Sequence, residues 1–383
     1  MEREASPMMG QVGSVPALYQ EVNGDFAARA RRLLEDGELL SLRRLVFTGC
    51  GDSCCAAQIG ALLLARFTGL PCTCRPSIDL AWWDDPSPFA REDGGAGLIG
   101  ISVSGEVTRV AEALERMKRR QGAAIALTGN PDSAAGRSAT HILHAAIPPF
   151  EFAPGVRSYC ASVLMLTHLA ISWGEALGTL PAERARELRD EIAALPSLLR
   201  TALPRMLQES RAVAELLRGC AAYEFIGAGL SYFSGWFGMA KILETLGAPA
   251  SACNSEDWFH MQYFIKDLSG TSTCVLTHGT DFTAQREEEL LFHAKAMGRA
   301  VWAVTDRDDL TLCPCIHIPK LSHPLLLPLV EPLPLAAVAS ELCDLLGEQY
   351  MRGAEGPWAP CAGCALISHG DLRVPRGSSD ENL

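Results

Sequence analysis

The feature that most constrains this chain is a strand followed by a glycine turn and a helix, found in residues 45–60 and again from residue 223. In the first copy an apolar run ends at Gly49 and Gly51, and small apolar residues then recur at helical spacing. Glycine lets a ligand approach the backbone, the first N–H groups of the helix point at that ligand, and Ser53 adds a hydroxyl donor. The pattern predicts an anion site suited to phosphate, although a plain connection between strand and helix has the same pattern.

A second loop of this kind follows the strand predicted over residues 97–101. Ser102, Ser104 and Gly105 stand between that strand and a helix predicted over residues 108–120. Taken alone, such a loop is equally typical of a helix N-cap. Two such loops on successive parallel strands end at the same edge of one sheet, and this favours shared binding of one ligand.

The order of predicted elements indicates an α/β protein. Residues 41–175 alternate strands with helices, which predicts a doubly wound parallel sheet. Residues 219–350 repeat the pattern at loose sequence similarity, and residues 176–218 between them read as a helical connector. An N-terminal segment, residues 1–40, is expected to carry an amphipathic helix from residue 17 onward. Residues 351–383 form a C-terminal tail.

Charge and hydropathy exclude several classes of protein. The net charge is −12, and Lys and Arg form no cluster beyond residues 118–120, which argues against binding to nucleic acid or to an anionic membrane. The N-terminus lacks the apolar core of a secretory signal. The longest apolar stretch, residues 325–338, contains Glu331 and several prolines, which argues against a membrane span. We therefore expect a cytoplasmic protein.

The 14 cysteines are interpreted as reduced, small, buried side chains. The candidates for metal ligands are Cys72 with Cys74, Cys313 with Cys315, and Cys361 with Cys364. Only the last pair has the gap of a zinc knuckle, and no second such pair or His pair stands at a matching distance. We therefore predict no metal site, and we expect the tail residues 377–383 to be disordered.

The second half contains residue types suited to proton transfer. Lys241 and Glu244 are three positions apart on a predicted helix, so they share a face, and Gly247 can end that helix. His260 follows on the next segment. The same residues are also consistent with a solvated Lys–Glu pair and a core histidine.

Four segments resemble the sugar isomerase, or SIS, domain family. They are residues 49–53, 101–106, 122–130 with Ser133, and 151–159. Within the family the chain is most similar to the isomerase half of glucosamine-6-phosphate synthase, to fructosamine-6-phosphate deglycases and to aminosugar-phosphate isomerases and deaminases. The resemblance covers about residues 40–350, and it implies two doubly wound parallel-sheet SIS domains joined by helices.

The resemblance also implies that the two serine loops bind the phosphate of a sugar phosphate. Carried over position by position, the substrate- and phosphate-binding residues are Gly51, Ser53, Ser102, Ser104, Gly105, Thr108, Val156, Arg157 and Ser158. The family usually has Ser-x-Ser-Gly-x-Thr, whereas here Val107 replaces the threonine and Thr108 follows one position later. Either the turn is one residue longer and Thr108 still binds phosphate, or one donor is missing. Arg157 could meet a carboxylate on the substrate or be an ordinary surface arginine.

The synthase isomerase has a lysine, a glutamate and a histidine at the positions of Lys241, Glu244 and His260. Moving a proton between C1 and C2 of an open-chain sugar needs a base that reaches both carbons, and Glu244 is predicted to be that base. His260 suits opening of the cyclic sugar near neutral pH. Lys241 suits stabilisation of the enolate oxygen or positioning of the glutamate. In the relatives this histidine acts across a subunit interface, which implies at least a homodimer, and the chemistry requires no metal or organic cofactor.

These features predict an enzyme that acts on a phosphorylated ketosamine or aminosugar, either a fructosamine-6-phosphate deglycase or an aminosugar-phosphate isomerase/deaminase. No cysteine directly follows Met1, so no glutaminase activity is expected, and the last lysine is Lys320, so the C-terminal lysine of the synthase has no counterpart. The alternative is a non-catalytic sugar-phosphate-binding regulatory protein, although no basic helix-turn-helix is visible. As a third possibility, Val107 marks a pocket for a non-phosphorylated sugar or an unusual polyol.

Overall fold

The computed structural model describes residues 6–35, 37–83, 95–265, 270–279, 282–350 and 370–374. Its strands form two five-stranded parallel sheets flanked by helices, which is an α/β architecture. The predicted fold class is therefore confirmed. The predictions for Cys361, Cys364 and the tail 377–383 lie outside the described residues.

The first sheet has the strands β1 Arg44–Thr48, β2 Cys72–Cys74, β3 Ala96–Ile101, β4 Ala123–Thr128 and β5 His141–His144. The helices up to its end are α1 Pro7–Arg32, α2 Asp52–Thr68, α3 Thr108–Arg119, α4 Ala134–Ser138 and α5 Arg157–Ala176. All strands are parallel, in the order β2-β1-β3-β4-β5. The chain changes direction across the sheet between β1 and β3, and such a switch point is where open α/β sheets bind ligands.

The second sheet has the strands β6 Ala222–Gly227, β7 Ala250–Asn254, β8 Thr271–Leu276, β9 Ala300–Thr305 and β10 Cys315–His317. The helices after α5 are α6 Ala182–Leu217, α7 Gly229–Leu246, α8 Ser255–His260, α9 Ala284–Ala296 and α10 Pro332–Leu346. The strand order, β7-β6-β8-β9-β10, has the same succession as the first sheet. The predicted internal repeat is therefore present in the fold, with the second switch point between β6 and β8.

The N-terminal helix differs from its prediction at both ends, because it runs over Pro7–Arg32 instead of residues 17–40. The first turns were not predicted as helix because they contain Gly10, Gly13 and Pro16, and glycine and proline have low helix propensity. Met8, Val12 and Val15 are nevertheless fully buried. Burial of this apolar face outweighs the poor local propensity, as is usual for helices that pack in a folded protein.

The chain divides into two compact units. The first-sheet unit comprises the described residues in 21–148, 161–190 and 370–374, and the second-sheet unit comprises those in 6–20, 149–160 and 191–350. Each unit thus combines separate segments of the chain, whereas the domain boundaries predicted after residues 40, 175, 218 and 350 run in sequence order.

One helical stretch among the described residues, Pro324–Leu346, is long and apolar enough to cross a membrane. The most apolar window of this stretch is 89% buried inside the protein. Glu331, one of its three charged residues, is also fully buried and hydrogen-bonded to the protein. This stretch is therefore a core helix of the second-sheet unit.

Candidate functional site

The first glycine turn joins β1 to α2. Gly51 has a φ of +55°, which residues with a Cβ rarely adopt, and it immediately precedes the helix. A Cβ on Gly49 would lie 2.5 Å from the carbonyl of Ser53, so only glycine fits there. The open N-terminus of α2 and the residue Ser53 thus lie at the carboxyl end of β1, in the arrangement that binds anions in other proteins.

Ser102 directly follows β3, the strand next to β1. Thr48 of β1 pairs with Gly100 of β3, so the loops that follow these two strands begin side by side. The backbone N–H of Ser102 donates to the carbonyl of Leu127 over 3.0 Å, which fixes its position. The Ser102 hydroxyl is buried and has no hydrogen-bond partner among the described residues. A buried hydroxyl without a partner costs free energy, so a ligand oxygen is the natural partner for this one.

The loop after Ser102 depends on Gly105. Gly105 has a φ of +74°, and a Cβ on it would lie 1.8 Å from the Ser133 hydroxyl oxygen. Ser133 in turn caps α4, because its hydroxyl accepts the N–H of Gly136 over 3.2 Å. Ser104 is exposed, and its hydroxyl accepts the N–H of Glu106 over 3.2 Å.

The beginning of α3 shows how the chain accommodates the departure from the Ser-x-Ser-Gly-x-Thr pattern. Val107 is the N-cap residue, and its side chain packs against the core of the first-sheet unit. Thr108 begins the helix and is buried, and its hydroxyl oxygen accepts the N–H of Gly370 over 3.1 Å. The helix therefore begins at Thr108, directly after Val107. Phosphate binding by Thr108 stays a prediction. In that case the Thr108 hydroxyl would donate its hydrogen to a phosphate oxygen.

The second-sheet unit repeats the first glycine turn after β6. Gly229 has a φ of +54°, and a Cβ on Gly227 would lie 2.8 Å from the carbonyl of Ser231, as the Cβ on Gly49 would contact Ser53. Ser231 therefore occupies the position that Ser53 has in the first turn.

The Ser231 hydroxyl donates to the carboxylate of Glu331 over 2.6 Å. Ser234 donates to the other oxygen of that carboxylate, and His278 Nε2 lies 2.8 Å from Glu331 Oε1. Glu331 is fully buried. The chain itself thus supplies the anion at the second turn. The sequence reasoning missed this role of Glu331, although its charge inside an apolar stretch was a signal.

Lys241 and Glu244 lie on one face of α7, as predicted. The Lys241 side chain is fully buried, and its Nζ lies 2.5 Å from Glu244 Oε2, while 31% of the Glu244 side chain is exposed. Lys241 Nζ also donates to the carbonyl of Gly155 over 3.4 Å and lies 5.0 Å from the centre of the Phe237 ring. The interpretation as a solvated Lys–Glu pair is therefore wrong for the lysine, because burial fixes the ammonium and leaves only the carboxylate accessible.

The predicted substrate loop ends in Val156, Arg157 and Ser158, at the start of α5. The Val156 N–H donates to Gln11 Oε1 over 2.9 Å, and Arg157 Nη1 donates to the Ser14 hydroxyl over 2.8 Å. Only 6% of Arg157 is exposed. The interpretation of Arg157 as an ordinary surface arginine is therefore wrong, because residues of α1 hold it inside the unit.

His260 ends α8 and lies on the surface, with 71% of its side chain exposed and Nε2 3.4 Å from Glu256 Oε1. The interpretation as a core histidine is therefore wrong.

The helix α8 is anchored by the buried Trp258, whose Nε1 donates to Glu224 over 3.3 Å. Glu224 pairs with the buried Arg299, and burial raises the pKa of this carboxyl above its usual value. The structure therefore brings Lys241 and Glu244 together and presents His260 separately on the surface of the same unit.

Three large apolar side chains of this unit are exposed, two of them within four residues after His260 in the chain. Met261, Phe264 and Phe292 have exposed fractions of 58%, 73% and 60%. Large exposed apolar side chains are typical of surfaces that bind another protein. We call these three residues the apolar patch.

The cysteines are less buried than predicted. Cys50 is exposed, and Cys54, Cys72 and Cys74 are partly exposed, so the prediction of burial is wrong for Cys50. No group of three or more His, Cys, Asp or Glu residues with the geometry of a metal site occurs in the described part of the chain.

Comparison with known proteins finds a family model that matches part of this chain. The model of the SIS domain family matches residues 38–172. The glutamine–fructose-6-phosphate aminotransferase (isomerizing) 1 of Arabidopsis thaliana is 24% identical over 311 residues, which is 80% of this chain and 44% of that protein. The corresponding enzyme of Thermus thermophilus is 24% identical over 351 residues, which is 89% of this chain and 56% of that protein. The chain thus spans about half the length of the curated relatives it matches.

The fold is shared with a solved structure of the same kind. The C-terminal domain of glucosamine-fructose-6-phosphate aminotransferase from Francisella tularensis has a TM-score of 0.79 at 16% identity, and the match covers 91% of this chain and 98% of that one. At this identity the likeness shows that the two proteins share a fold.

Proposed function

Because the model of the SIS domain family matches residues 38–172, we propose that this chain is an enolising enzyme for a phosphorylated ketosamine or aminosugar, without glutaminase activity. The observation that carries the proposal is the contact between the buried Lys241 ammonium and the accessible Glu244 carboxylate. A carboxylate that a fixed cation orients is suited to act as a base, and the field of the buried cation also favours negative charge that develops on a substrate oxygen.

The proposed reaction on a fructosamine 6-phosphate has two stages. Glu244 removes a proton from C1, the electron pair moves toward the carbonyl oxygen at C2, and the field of the buried Lys241 ammonium favours the negative charge there. Glu244 then returns the proton to C2, which leaves a C1 imine. Water adds to this imine and the amine leaves, so one molecule of water is consumed and a sugar 6-phosphate is released. For an aminosugar phosphate the same proton transfer runs between C2 and C1.

The substrate phosphate is proposed to bind the two serine loops of the first-sheet unit. Three features support this assignment. No side chain caps the N-terminus of α2 beside Ser53, the Ser102 hydroxyl has no partner among the described residues, and a glycine turn lies at Gly105. Arg157 is proposed to position the substrate loop through Ser14.

A time course of proton NMR spectra in deuterated buffer tests the proposal. The purified protein is supplied separately with fructoselysine 6-phosphate and with glucosamine 6-phosphate, next to the variants Glu244→Gln and Glu215→Gln. Glu215 is an exposed glutamate of α6 and serves as the matched control. We expect turnover or deuterium at C1 or C2 with the native protein and Glu215→Gln, and at least about a 100-fold slower rate with Glu244→Gln. Equal rates for Glu244→Gln would contradict the role of the carboxylate.

We further propose that the protein acts as a homodimer in which His260 completes the site of the second copy. The exposure of His260 and of the apolar patch supports this proposal. A mixture of inactive Glu244→Gln and inactive His260→Asn protomers tests it. If the residues come from different copies, random mixing restores about a quarter of the native activity, because half of the dimers then contain one intact site. If the mixture stays inactive, both residues act within one copy.

The alternative function, a regulatory protein that only binds sugar phosphates, has its own signature in the same experiment. Binding of a sugar phosphate without exchange of deuterium at either carbon would favour it. If the free sugar binds as tightly as its 6-phosphate, Val107 marks a pocket for an unphosphorylated ligand.

A further inference from the structure

A chain of hydrogen bonds leads from helix α1 to the second serine loop, residues 102–105, within the first-sheet unit. Arg29 of α1 donates from Nη1 to His144 Nδ1 over 2.5 Å, and His144 Nε2 lies 3.1 Å from the carbonyl oxygen of Gly129. The N–H of Gly129 in turn donates to the carbonyl of Val103 over 2.9 Å. Val103 lies within the second serine loop, so this hydrogen-bond chain ends at the group proposed to bind phosphate.

The partners of His144 determine where its proton lies. A guanidinium can only donate hydrogen bonds, so Nδ1 must accept the one from Arg29. A carbonyl oxygen can only accept, so Nε2 must carry the proton and donate it to Gly129. Both contacts therefore need the neutral ring with its proton on Nε2. Arg29 is itself held in place, because it also donates to the His144 carbonyl over 3.0 Å and its Nε pairs with Asp25 at 2.8 Å.

The loop that begins at Gly129 lies directly against the second serine loop. A Cβ on Gly129 would lie 3.1 Å from the carbonyl oxygen of Val103. The Thr128 hydroxyl donates to the same oxygen over 3.4 Å. Ser102, the residue before Val103, carries the buried hydroxyl that has no partner among the described residues. A shift of Gly129 would therefore pass to Val103 and change the position of the Ser102 hydroxyl.

Solvent reaches the hydrogen-bond chain through a cavity between the end of α1 and β5. The cavity has a volume of about 360 Å³, and its lining residues are Arg29, Arg32, Leu33, His141, Ile142 and His144. Two carboxylates lie beside these basic groups, since Asp25 pairs with Arg29 and Glu38 Oε2 lies 3.9 Å from His141 Nε2. His144 is only partly buried, so its ring can exchange a proton with water in this cavity.

We propose that His144 is a positioning residue for the phosphate site and makes the binding of a sugar phosphate depend on pH. Histidine is the side chain that ordinarily takes up a proton between about pH 8 and pH 5. Protonation of His144 places a hydrogen on Nδ1, where it meets both the donor and the positive charge of Arg29, so this contact is lost. The hydrogen-bond chain then no longer fixes Val103, and the sugar phosphate binds more weakly as the pH falls. This inference rests on the proposed function, which assigns the serine loops to phosphate.

Calorimetric titration with fructose 6-phosphate between about pH 8 and pH 5 tests the proposal. A phosphate ester takes up a proton near about pH 6 itself, so the result is the difference between variants under the same conditions. His144→Gln has an amide that can donate to Gly129 and does not titrate, whereas His141→Gln removes the other histidine of the cavity. We expect the affinity of the native protein and of His141→Gln to fall at least about tenfold more than that of His144→Gln. An equal fall in the native protein and His144→Gln would overturn the proposal.

Variants of Arg29 separate positioning from general support of the fold. Arg29→Met has no donor for His144, whereas Arg29→Lys keeps one, and Arg32→Met changes another arginine of the same cavity. At about pH 8 we expect about tenfold weaker binding in Arg29→Met, most of the affinity restored in Arg29→Lys, and native affinity in Arg32→Met. Native affinity in Arg29→Met, or an equal loss in Arg32→Met, would show that the hydrogen-bond chain does not position the loop.

NMR of protein with isotope-labelled histidine tests the hydrogen-bond chain without a ligand. The His144 signals are those that disappear in His144→Gln. At about pH 8 we expect the neutral ring with its proton on Nε2, and a proton on Nδ1 instead would overturn the proposal. If the native protein binds no sugar phosphate at any pH, the proposed function fails and the effect of pH on binding fails with it. The position of the His144 proton still shows in that case whether the hydrogen-bond chain exists.

Discussion

The Ser231 hydroxyl donates a 2.6 Å hydrogen bond to the buried carboxylate of Glu331, one hundred residues later in the chain. Ser53 holds the equivalent position in the first glycine turn, and there the neighbouring Ser102 hydroxyl is buried without a partner among the described residues. The two repeats of the fold thus differ in the source of the anion beside the glycine turn. In the second repeat it is the protein, and in the first we propose that it is the substrate.

Replacement of Glu331 by glutamine should destabilise the protein. The amide offers one acceptor oxygen where the carboxylate accepts from Ser231, Ser234 and His278, and the buried hydroxyl that loses its partner cannot reach water. We expect a loss of about 2 kcal/mol in the free energy of unfolding, measured by urea denaturation. The exposed control Glu215→Gln should change it by less than about 0.5 kcal/mol. An equal, small effect of both changes would contradict the hydrogen-bonded role of Glu331.

Replacement of Ser102 by alanine should weaken binding of a sugar phosphate without loss of stability. The hydroxyl has no partner among the described residues, so its removal from the unliganded protein breaks no hydrogen bond there. We expect a rise of about tenfold in the dissociation constant, since a hydrogen bond to a charged group contributes about 1.5 kcal/mol.

Ser133→Ala is the matched control for that change. Ser133 caps α4, so its replacement should cost about 1 kcal/mol of stability. Thermal unfolding and calorimetric titration separate the two effects. A Ser102→Ala protein with native affinity would show that this hydroxyl does not touch the ligand.

Replacement of Gly105 by alanine should be more disruptive than the same change at Gly178. Both glycines have a φ above +70°, so alanine is strained at either position. At Gly178 nothing lies within 4 Å of the added Cβ, whereas at Gly105 it would lie 1.8 Å from the Ser133 hydroxyl oxygen. We expect a loss of about 1 kcal/mol for Gly178→Ala from backbone strain and a clearly larger loss for Gly105→Ala. Equal losses in urea denaturation would mean that the loop relaxes around the new methyl group.

Replacement of Arg299 by methionine should strongly destabilise the second-sheet unit. Arg299 and Glu224 form a buried ion pair, and Glu224 also accepts from Trp258, so the change leaves a buried carboxylate without its cation. Breaking such a pair costs about 3–5 kcal/mol, whereas an exposed pair contributes about 0–1 kcal/mol. Arg286→Met, which removes the exposed partner of Glu256, is therefore the control. Similar denaturation midpoints for the two variants would contradict the importance of the buried pair.

Alkylation of Cys54 should depend on pH with a midpoint of about 7. The pKa of this thiol lies below its ordinary value, so the reactive thiolate forms as the pH rises through 7 and the rate levels off above it. Cys74→Ala removes the hydrogen-bond donor, and the midpoint should then move up toward 9.0, the ordinary value. Cys72→Ala should leave it unchanged. Rates of iodoacetamide labelling, read by mass spectrometry of residues 45–66, measure the midpoint. An unchanged midpoint in Cys74→Ala would contradict the thiol–thiol hydrogen bond.

Local pattern was sufficient to predict the parallel sheets and their glycine turns. Gly49, Gly51 and Gly105 mark positions where the backbone conformation or a close contact excludes a Cβ, and such requirements act within a few residues. Lys241 and Glu244 were also predictable as neighbours, because helical spacing places them on one face.

Contacts between distant segments were beyond the sequence pattern. The start of α1 depends on burial of Met8 and Val12, which overrides poor helix propensity, and the burial of Arg157 depends on Ser14, far away in the chain. The hydrogen bond from Gly370 to Thr108 is equally remote.

The sequence by itself determined the kind of fold and the chemistry available to this protein, since strand and helix periods, glycine turns and residue types are local properties. Only the tertiary structure decided that Glu331 supplies the anion of the second turn and that Lys241 is buried while Glu244 remains accessible. The reason is that burial and hydrogen bonding depend on which distant segments pack together, and packing follows from the whole chain rather than from any one stretch.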